Sequence, residues 1–181
     1  RTVVFADTTD GLKLWIKTED QAEAVPLTGT PMGASPRFSP DGEWVAFVAD
    51  GKLRKVPRLG GSAVTLGDSA STAIAWLEDG TLLYRGSQAS GTKLQAVTSE
   101  GVPVRAWPDS LIPNEIIVQL AGLPGGQSAL AALCTATCAE SRLVVIDLRT
   151  GALHPVMGDV LSAWPVGADR VVFVRPDGGV F

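Results

Sequence analysis

A short phrase recurs along this chain, and each copy joins a polar turn to an apolar strand. It reads SPDGEWVAF at residues 39–47, LEDGTLLY at 77–84 and VGADRVVF at 166–173. Asp-Gly pairs favour tight reversals, and the apolar runs that follow have the length of single strands. The phrase therefore predicts a chain made of short strands and turns.

The spacing of the copies predicts how the strands are grouped. Phe5, Phe47, Tyr84 and Phe173 hold equivalent positions, with steps of 42 (47 minus 5), 37 (84 minus 47) and 89 (173 minus 84). The last step equals two repeats with a degenerate copy between them. A period near forty built only from strands and turns is typical of β-propeller blades.

Composition agrees with a turn-rich β protein. The 181 residues are 45% hydrophobic and 19% charged, and they include 20 Gly and 12 Pro. The net charge is −4, and the densest cationic stretch, residues 52–58, alternates charged and apolar residues like a half-exposed strand. We therefore expect no nucleic-acid partner. No apolar run approaches the ~18 residues of a membrane span, so we expect no membrane contact by this segment itself.

The predicted fold class is all-β, a partial β-propeller of four-stranded antiparallel blades, with three whole blades and two incomplete ones. The expected limits are 1–30 (incomplete), 31–68, 69–110, 111–159 and 160–181 (incomplete), within a single domain. Both ends contain the second strand of a blade, so they do not complete one another. We interpret the chain as an excerpt of a longer propeller, and in isolation its open edges predict an edge-strand dimer.

The Asp-Gly pairs have a structural interpretation. Asp41 and Asp79 are expected to accept backbone hydrogen bonds in their turns, while Gly42 and Gly80 supply a left-handed conformation. The third copy has drifted: its turn keeps Gly-Gly at residues 125–126 but has no Asp.

The two cysteines, Cys134 and Cys138, lie between two strand-like runs. They could close a small disulfide ring in an oxidising compartment, remain two unpaired thiols, or act in redox chemistry. A metal site needs about four ligands, and the single histidine, His154, lies far away in the sequence. We expect no metal and no cofactor.

Catalytic patterns are missing from the sequence. No Gly-x-Ser-x-Gly motif occurs, and His154, beside Pro155 on an expected outer strand, has no serine partner at a plausible position. We therefore expect a protein that is not an enzyme and has no catalytic residues.

Tryptophans recur about once per repeat, and most are expected to pack between blades. The five are Trp15, Trp44, Trp76, Trp107 and Trp164. Trp107 is the expected exception, because it lies on a connection from an outer strand to the next inner strand. These connections share one face with the hairpins between second and third strands, and propellers usually bind partners there. The predicted binding residues are Met32, Trp107, Asp109 and the 86–91 loop.

Longer stretches resemble a known family. They are LWIK at 14–17, PLTGT at 26–30, the run from 36 to 56, GG at 60–61, LPGGQSAL at 123–130 and RVVFVRPDGGVF at 170–181. Together these look like the TolB-like WD-type β-propeller domain. More narrowly, they resemble the version at the extracytoplasmic C-terminal end of bacterial membrane serine/threonine protein kinases. Kinase motifs are absent from this sequence.

The resemblance implies a ligand- or protein-binding sensor module in the periplasm or at the cell surface, tethered by a membrane helix outside this segment. Its partner would be a protein, a peptide or an envelope ligand. The alternative is the substrate-gating propeller of a prolyl-oligopeptidase-type peptidase. A kinase and a membrane helix upstream would favour the first function, and an α/β-hydrolase downstream the second. An active propeller glycosidase is disfavoured, since no carboxylate pair lies near an inner strand.

Overall fold

A computed structural model describes residues 1–9, 11–86, 93–107, 109–167 and 169–181, and for Lys93 and Asp109 it describes the main chain alone. Within these ranges the regular elements are seventeen β-strands and one short 3-10 helix, Asp109–Leu111. The strands form five antiparallel sheets, and within each sheet a strand pairs with the next one along the chain.

Three of the sheets have four strands. The second sheet contains β4 (Ala34–Phe38), β5 (Trp44–Ala49), β6 (Lys52–Pro57) and β7 (Val64–Gly67). The third contains β8 (Ala70–Trp76), β9 (Leu82–Gly86), β10 (Lys93–Val97) and β11 (Pro103–Ala106). The fourth contains β12 (Glu115–Gly122), β13 (Ser128–Thr135), β14 (Ser141–Asp147) and β15 (Leu153–Gly158).

The two outermost sheets are smaller. The first contains β1 (Thr2–Asp7), β2 (Lys13–Thr18) and β3 (Val25–Pro31). The fifth contains β16 (Ser162–Val166) and β17 (Arg170–Val174). Phe173 and Phe181 exchange two backbone hydrogen bonds of 3.0 Å, so the last residues begin to pair with β17.

The sheets fan around an axis. The first strands of successive sheets, β4, β8, β12 and β16, contact one another in turn, whereas the fourth strands lie at the periphery. This arrangement is radial, and it confirms the predicted all-β propeller with three whole blades and two incomplete ones.

The core fills the gaps between neighbouring sheets. Along β5, Phe47 packs toward the first sheet, and its neighbour Val48 packs toward the third. Side chains alternate faces along a strand, so an inner strand that is buried on both sides becomes a continuous apolar run. This explains why VAFVA at residues 45–49 is almost wholly inaccessible to solvent.

The outward faces of the first and fifth sheets remain exposed. Val3 and Phe5 on β1 are 60% and 37% accessible, and Trp164 on β16 is 43% accessible. The predicted edge-strand dimer stays a prediction.

Candidate interaction site

The antiparallel order of the sheets divides the loops between two faces. The turns between first and second strands lie on one face, here called the turn face. The hairpins between second and third strands lie on the other, with the connections between sheets; this is the hairpin face. The first sheet has three strands and begins with the second strand of a blade, so its β1–β2 loop also belongs to the hairpin face. Main-chain hydrogen bonds join hairpins to connections, as in Met32 N–H to Leu12 O and Ala70 N–H to Gly51 O, both 2.7 Å.

Left-handed backbone conformations recur on the hairpin face. Each connection between sheets contains one non-glycine residue with positive φ: Met32 (57°), Ser69 (55°), Asn114 (63°) and Asp159 (54°). Each lies shortly before the inner strand of the following sheet. Asn and Asp tolerate this region, whereas it is uncommon for Met and Ser. The left-handed residue thus turns the chain into each new blade, and for Met32 and Ser69 this conformation has a local energetic cost.

Met32 is the predicted binding residue that the structure leaves accessible. Its side chain is 52% exposed, although its backbone is held by the hydrogen bond to Leu12. Methionine is a flexible and polarizable apolar side chain, and such residues adapt well to partner surfaces. Met32 therefore presents an apolar contact from a rigid backbone.

Trp107 does not lie on the surface, which corrects the expectation drawn from its place on a connection. It is 5% exposed and packs between the third and fourth sheets with Leu111 and Ile112. The guanidinium of Arg105 lies 5.0 Å from the ring centroid, and a Cβ at Gly151 would lie 3.4 Å from the ring. The connection carries the indole inward because this long segment has its own apolar side to bury.

The other predicted contacts are Asp109 and the 86–91 loop. Asp109 begins the 3-10 helix, and its side chain lies outside the described residues. In the 86–91 loop, Gly86 ends β9 and is buried, while 87–91 lie outside the described residues. Among the candidate contacts whose side chains are described, Met32 alone is exposed.

The Asp-Gly turns hold the chain through local hydrogen bonds. Asp41 Oδ1 accepts the N–H of Glu43 at 3.0 Å, and Asp79 Oδ1 accepts the N–H of Thr81 at 2.9 Å. The glycines that follow, Gly42 and Gly80, have φ of 74° and 87°. Asp41 also accepts the hydroxyl of Ser39, and that bond, together with the Glu43 N–H, lowers the pKa of the carboxyl below its usual value.

The third turn, which lacks Asp, receives a carboxylate from the neighbouring blade. Glu78 Oε2 accepts the N–H of Gly125 at 2.8 Å, although the two residues belong to different sheets. Sequence reasoning missed this contact, because a partner 47 positions away is not visible in a local turn motif. The available signal in the sequence was the carboxylate of Glu78, which immediately precedes Asp79.

A disulfide joins Cys134 and Cys138 across the hairpin between β13 and β14, with their Cα atoms 4.8 Å apart. Cys134 is completely buried at the end of β13. The bridge therefore ties a loop of the hairpin face to the core of the fourth sheet.

Two surface cavities lie on the turn face. The larger, about 330 Å³, is lined by Phe38, Asp41, Glu43 and Arg58 among others, and Arg58 Nη2 lies 3.9 Å from Glu43 Oε1. The smaller, about 130 Å³, lies where β8, β12 and β16 end, and Trp76 and Pro165 line it.

No group of three or more His, Cys, Asp or Glu side chains is placed to hold a metal ion in the described part of the chain. His154 is exposed on β15, the outermost strand of its sheet. Nor do the described residues include a helix with the length and apolar character needed to cross a membrane.

Similarity to known proteins is found in structure and not in sequence. No family model and no curated protein matches the chain. TolB from Acinetobacter baumannii superposes with a TM-score of 0.68 at 13% identity, over 99% of this chain and 51% of that one. The chain thus spans about half the length of that TolB.

Two further structures show the same architecture. A chain of a nidogen/laminin complex gives a TM-score of 0.71 at 12% identity, over 97% of this chain and 70% of that one. A prolyl endopeptidase gives a TM-score of 0.60 at 19% identity, over 98% of this chain and 30% of that one. The chain therefore has the fold of a TolB-like β-propeller.

Proposed function

We propose that this chain is a non-catalytic propeller module that binds a protein or peptide outside the cytoplasm, as part of a bacterial signalling protein. Its contact surface is the hairpin face, and Met32 is an exposed apolar residue of that face. A propeller fold supports many unrelated activities, so the proposal depends on the surface and not on the fold.

The observation that carries the proposal is the conformation of Met32. A long apolar side chain is held 52% exposed on a left-handed backbone, where glycine would be free of strain. Residues in sparsely populated backbone regions concentrate at binding and active sites. The positive φ recurs at Ser69, Asn114 and Asp159, so Met32 is distinguished among these four residues by its apolar side chain.

The extracytoplasmic location is supported by the Cys134–Cys138 disulfide, since such bonds persist in oxidising compartments. The structure of the nidogen/laminin complex offers a parallel for partner binding, because it contains a chain of this fold within a protein complex.

A second candidate is the substrate-gating propeller of a prolyl-oligopeptidase-type peptidase. The likeness to a prolyl endopeptidase over 98% of this chain favours it. The catalytic serine would then lie in a separate α/β-hydrolase domain. Reading the flanking sequence distinguishes the two, since the first requires a signalling domain and a membrane helix.

Site-specific photocrosslinking tests the proposed surface. The photoreactive amino acid p-benzoylphenylalanine is introduced at Met32 in the full-length protein, expressed in its own cells. Val156 on β15 is the matched control, because both side chains are 52% exposed. We expect one discrete protein adduct from position 32 and none from position 156.

The result is read by mass spectrometry of the adduct. A single envelope protein crosslinked at position 32 supports the proposal. Equal labelling at positions 32 and 156, or a cytoplasmic protein as the main adduct, contradicts it. Peptidase activity of the full-length protein would favour the second candidate.

A further inference from the structure

The smaller cavity of the turn face lies where three sheets converge. Trp76 ends the inner strand β8, Gly122 ends β12, and Pro165 lies near the end of β16. The residues after β12, Leu123 and Pro124, add two apolar side chains to the lining. This slot is built from separate blades, so its shape depends on the angles between these three sheets.

The walls of the slot mix apolar side chains with polar surface, and several of their groups cannot serve as hydrogen-bond donors. Pro124 and Pro165 have no backbone N–H. The indole Nε1–H of Trp76 is already used, because it donates to the carbonyl oxygen of Gly80 at 3.1 Å. An anion would therefore find no donor among these groups.

Among the described residues of the lining, Glu78 is the one that is ionisable, and its carboxylate is held in place. Oε2 accepts the N–H of Gly125 at 2.8 Å, while Oε1 has no hydrogen bond within the described residues. The slot thus combines apolar side chains with one positioned negative charge, and one oxygen of that carboxylate accepts no hydrogen bond from the described residues. The net charge of −4 adds to the attraction for cations.

Size limits the occupant. The volume of about 130 Å³ is well below the ~300–1,000 Å³ of pockets for drug-sized ligands. It suits one long side chain. Lysine and arginine carry an apolar stem and a cationic head, and the head also interacts favourably with an indole face.

We propose that this slot binds one lysine or arginine side chain of a partner protein, with the stem against Trp76 and Pro165 and the cation at Glu78. The inference rests on the proposed function in requiring a protein partner, but it uses the face opposite Met32. It adds a requirement on the partner: the partner segment that lies across the propeller axis carries a lysine or an arginine.

A titration followed by NMR tests this site directly. The probes are the Nα-acetyl, N-methylamide derivatives of arginine, lysine, citrulline and norleucine, added at constant ionic strength. The reporters are the backbone N–H of Gly125 and the indole N–H of Trp76. We expect saturable shifts at both reporters with the arginine and lysine derivatives, and binding about tenfold weaker for the neutral ones, since charge-assisted hydrogen bonds are about twice as strong as neutral ones.

Two variants locate the charge that is responsible. Glu78→Gln keeps an amide oxygen for Gly125 N–H and removes the negative charge, so it should abolish the preference for cations. Asp79→Asn removes the same charge one residue away, outside the lining, and should change the affinity less than twofold. Equal binding of arginine and citrulline, or a preference that survives in Glu78→Gln, would overturn the proposal. Neither result affects crosslinking from Met32. A failure of the slot proposal can therefore be distinguished from a failure of the proposed function.

Discussion

The side chain of Gln119 pairs with the main chain of Ala163 through both atoms of its amide. Nε2 donates to the carbonyl oxygen of Ala163 at 2.8 Å, and Oε1 accepts its N–H at 2.6 Å. Gln119 lies on β12 and Ala163 on β16, so a side chain replaces the backbone pairing that these two inner strands cannot make. Both residues are buried.

Gln119→Leu should lower the free energy of unfolding by about 2–4 kcal/mol, because it leaves a buried N–H and a buried C=O of Ala163 unpaired. Leucine nearly conserves the volume, so the loss measures the hydrogen bonds and not a cavity. Urea denaturation gives the value. The control is Gln21→Leu on an exposed turn, which should change stability by less than about 0.5 kcal/mol. Similar losses in the two variants would contradict the assignment.

Gly29→Ala should be far more destabilising than Gly42→Ala. Both glycines have positive φ, 88° and 74°, so each alanine carries the same conformational penalty of about 1 kcal/mol. A Cβ at Gly29 would also overlap the carbonyl oxygen of Gly61 in the next sheet, whereas one at Gly42 meets open space. We expect a loss of about 3 kcal/mol or more for Gly29→Ala. Equal melting temperatures for the two variants would refute this close approach of blades.

Met32→Gly should raise stability by about 0.5–1 kcal/mol, because glycine adopts the observed left-handed conformation without strain. Met32→Ala is the matched control: it removes the thioether but keeps the strained backbone, so it should not stabilise. Thermal unfolding measures both. If the hairpin face binds a partner through Met32, both variants should weaken that binding despite their different stabilities. A stabilised Met32→Gly protein with undiminished partner binding would count against the proposed function.

The Asp41 turn predicts a defined pH dependence. The hydroxyl of Ser39 and the N–H of Glu43 lower the pKa of the folded carboxyl below the ordinary 3.8. The stabilisation is therefore fully present above the unfolded pKa and is lost as the pH falls through the folded value. The stability advantage of the native protein over Asp41→Asn should shrink on acidification through this range, as measured by urea denaturation.

The Ser39→Ala variant serves as the control for this titration. Without the hydroxyl donor, the pKa of Asp41, followed by carboxyl ¹³C chemical shift, should move up toward its ordinary value. An unchanged Asp41 pKa in Ser39→Ala would show that the hydroxyl is not the main cause.

The cysteines should be unreactive in native protein matured in an oxidising compartment. Alkylation followed by mass spectrometry should modify neither Cys134 nor Cys138 until a reductant is added. Replacing both by serine should cost about 2 kcal/mol on the loop-entropy model for so short a ring. Rapid alkylation of both thiols without reductant would disprove both the bridge and the proposed compartment.

The candidate site could be predicted only in part. Met32 lies on a connection between sheets, where the spacing of the repeat predicts it, whereas its role in binding stays a prediction. Its left-handed backbone was not predictable, since nothing in a Met-Gly dipeptide requires positive φ at the methionine. Trp107 is buried, contrary to the prediction that it lies exposed on a connection. The connection folds inward with Leu111 and Ile112, and this depends on the space between two sheets, which local sequence does not specify.

Local chemistry determined the architecture. The forty-residue period, the Asp41–Gly42 and Asp79–Gly80 turns and the alternation of apolar residues all act within a few positions, so the strands and their antiparallel order could be predicted from the sequence alone. Contacts between blades were decided by tertiary structure: Glu78 with Gly125, Gln119 with Ala163, and the slot beside Trp76. These join residues more than forty positions apart. Their geometry depends on the angle between neighbouring sheets, which the packing of the whole core sets.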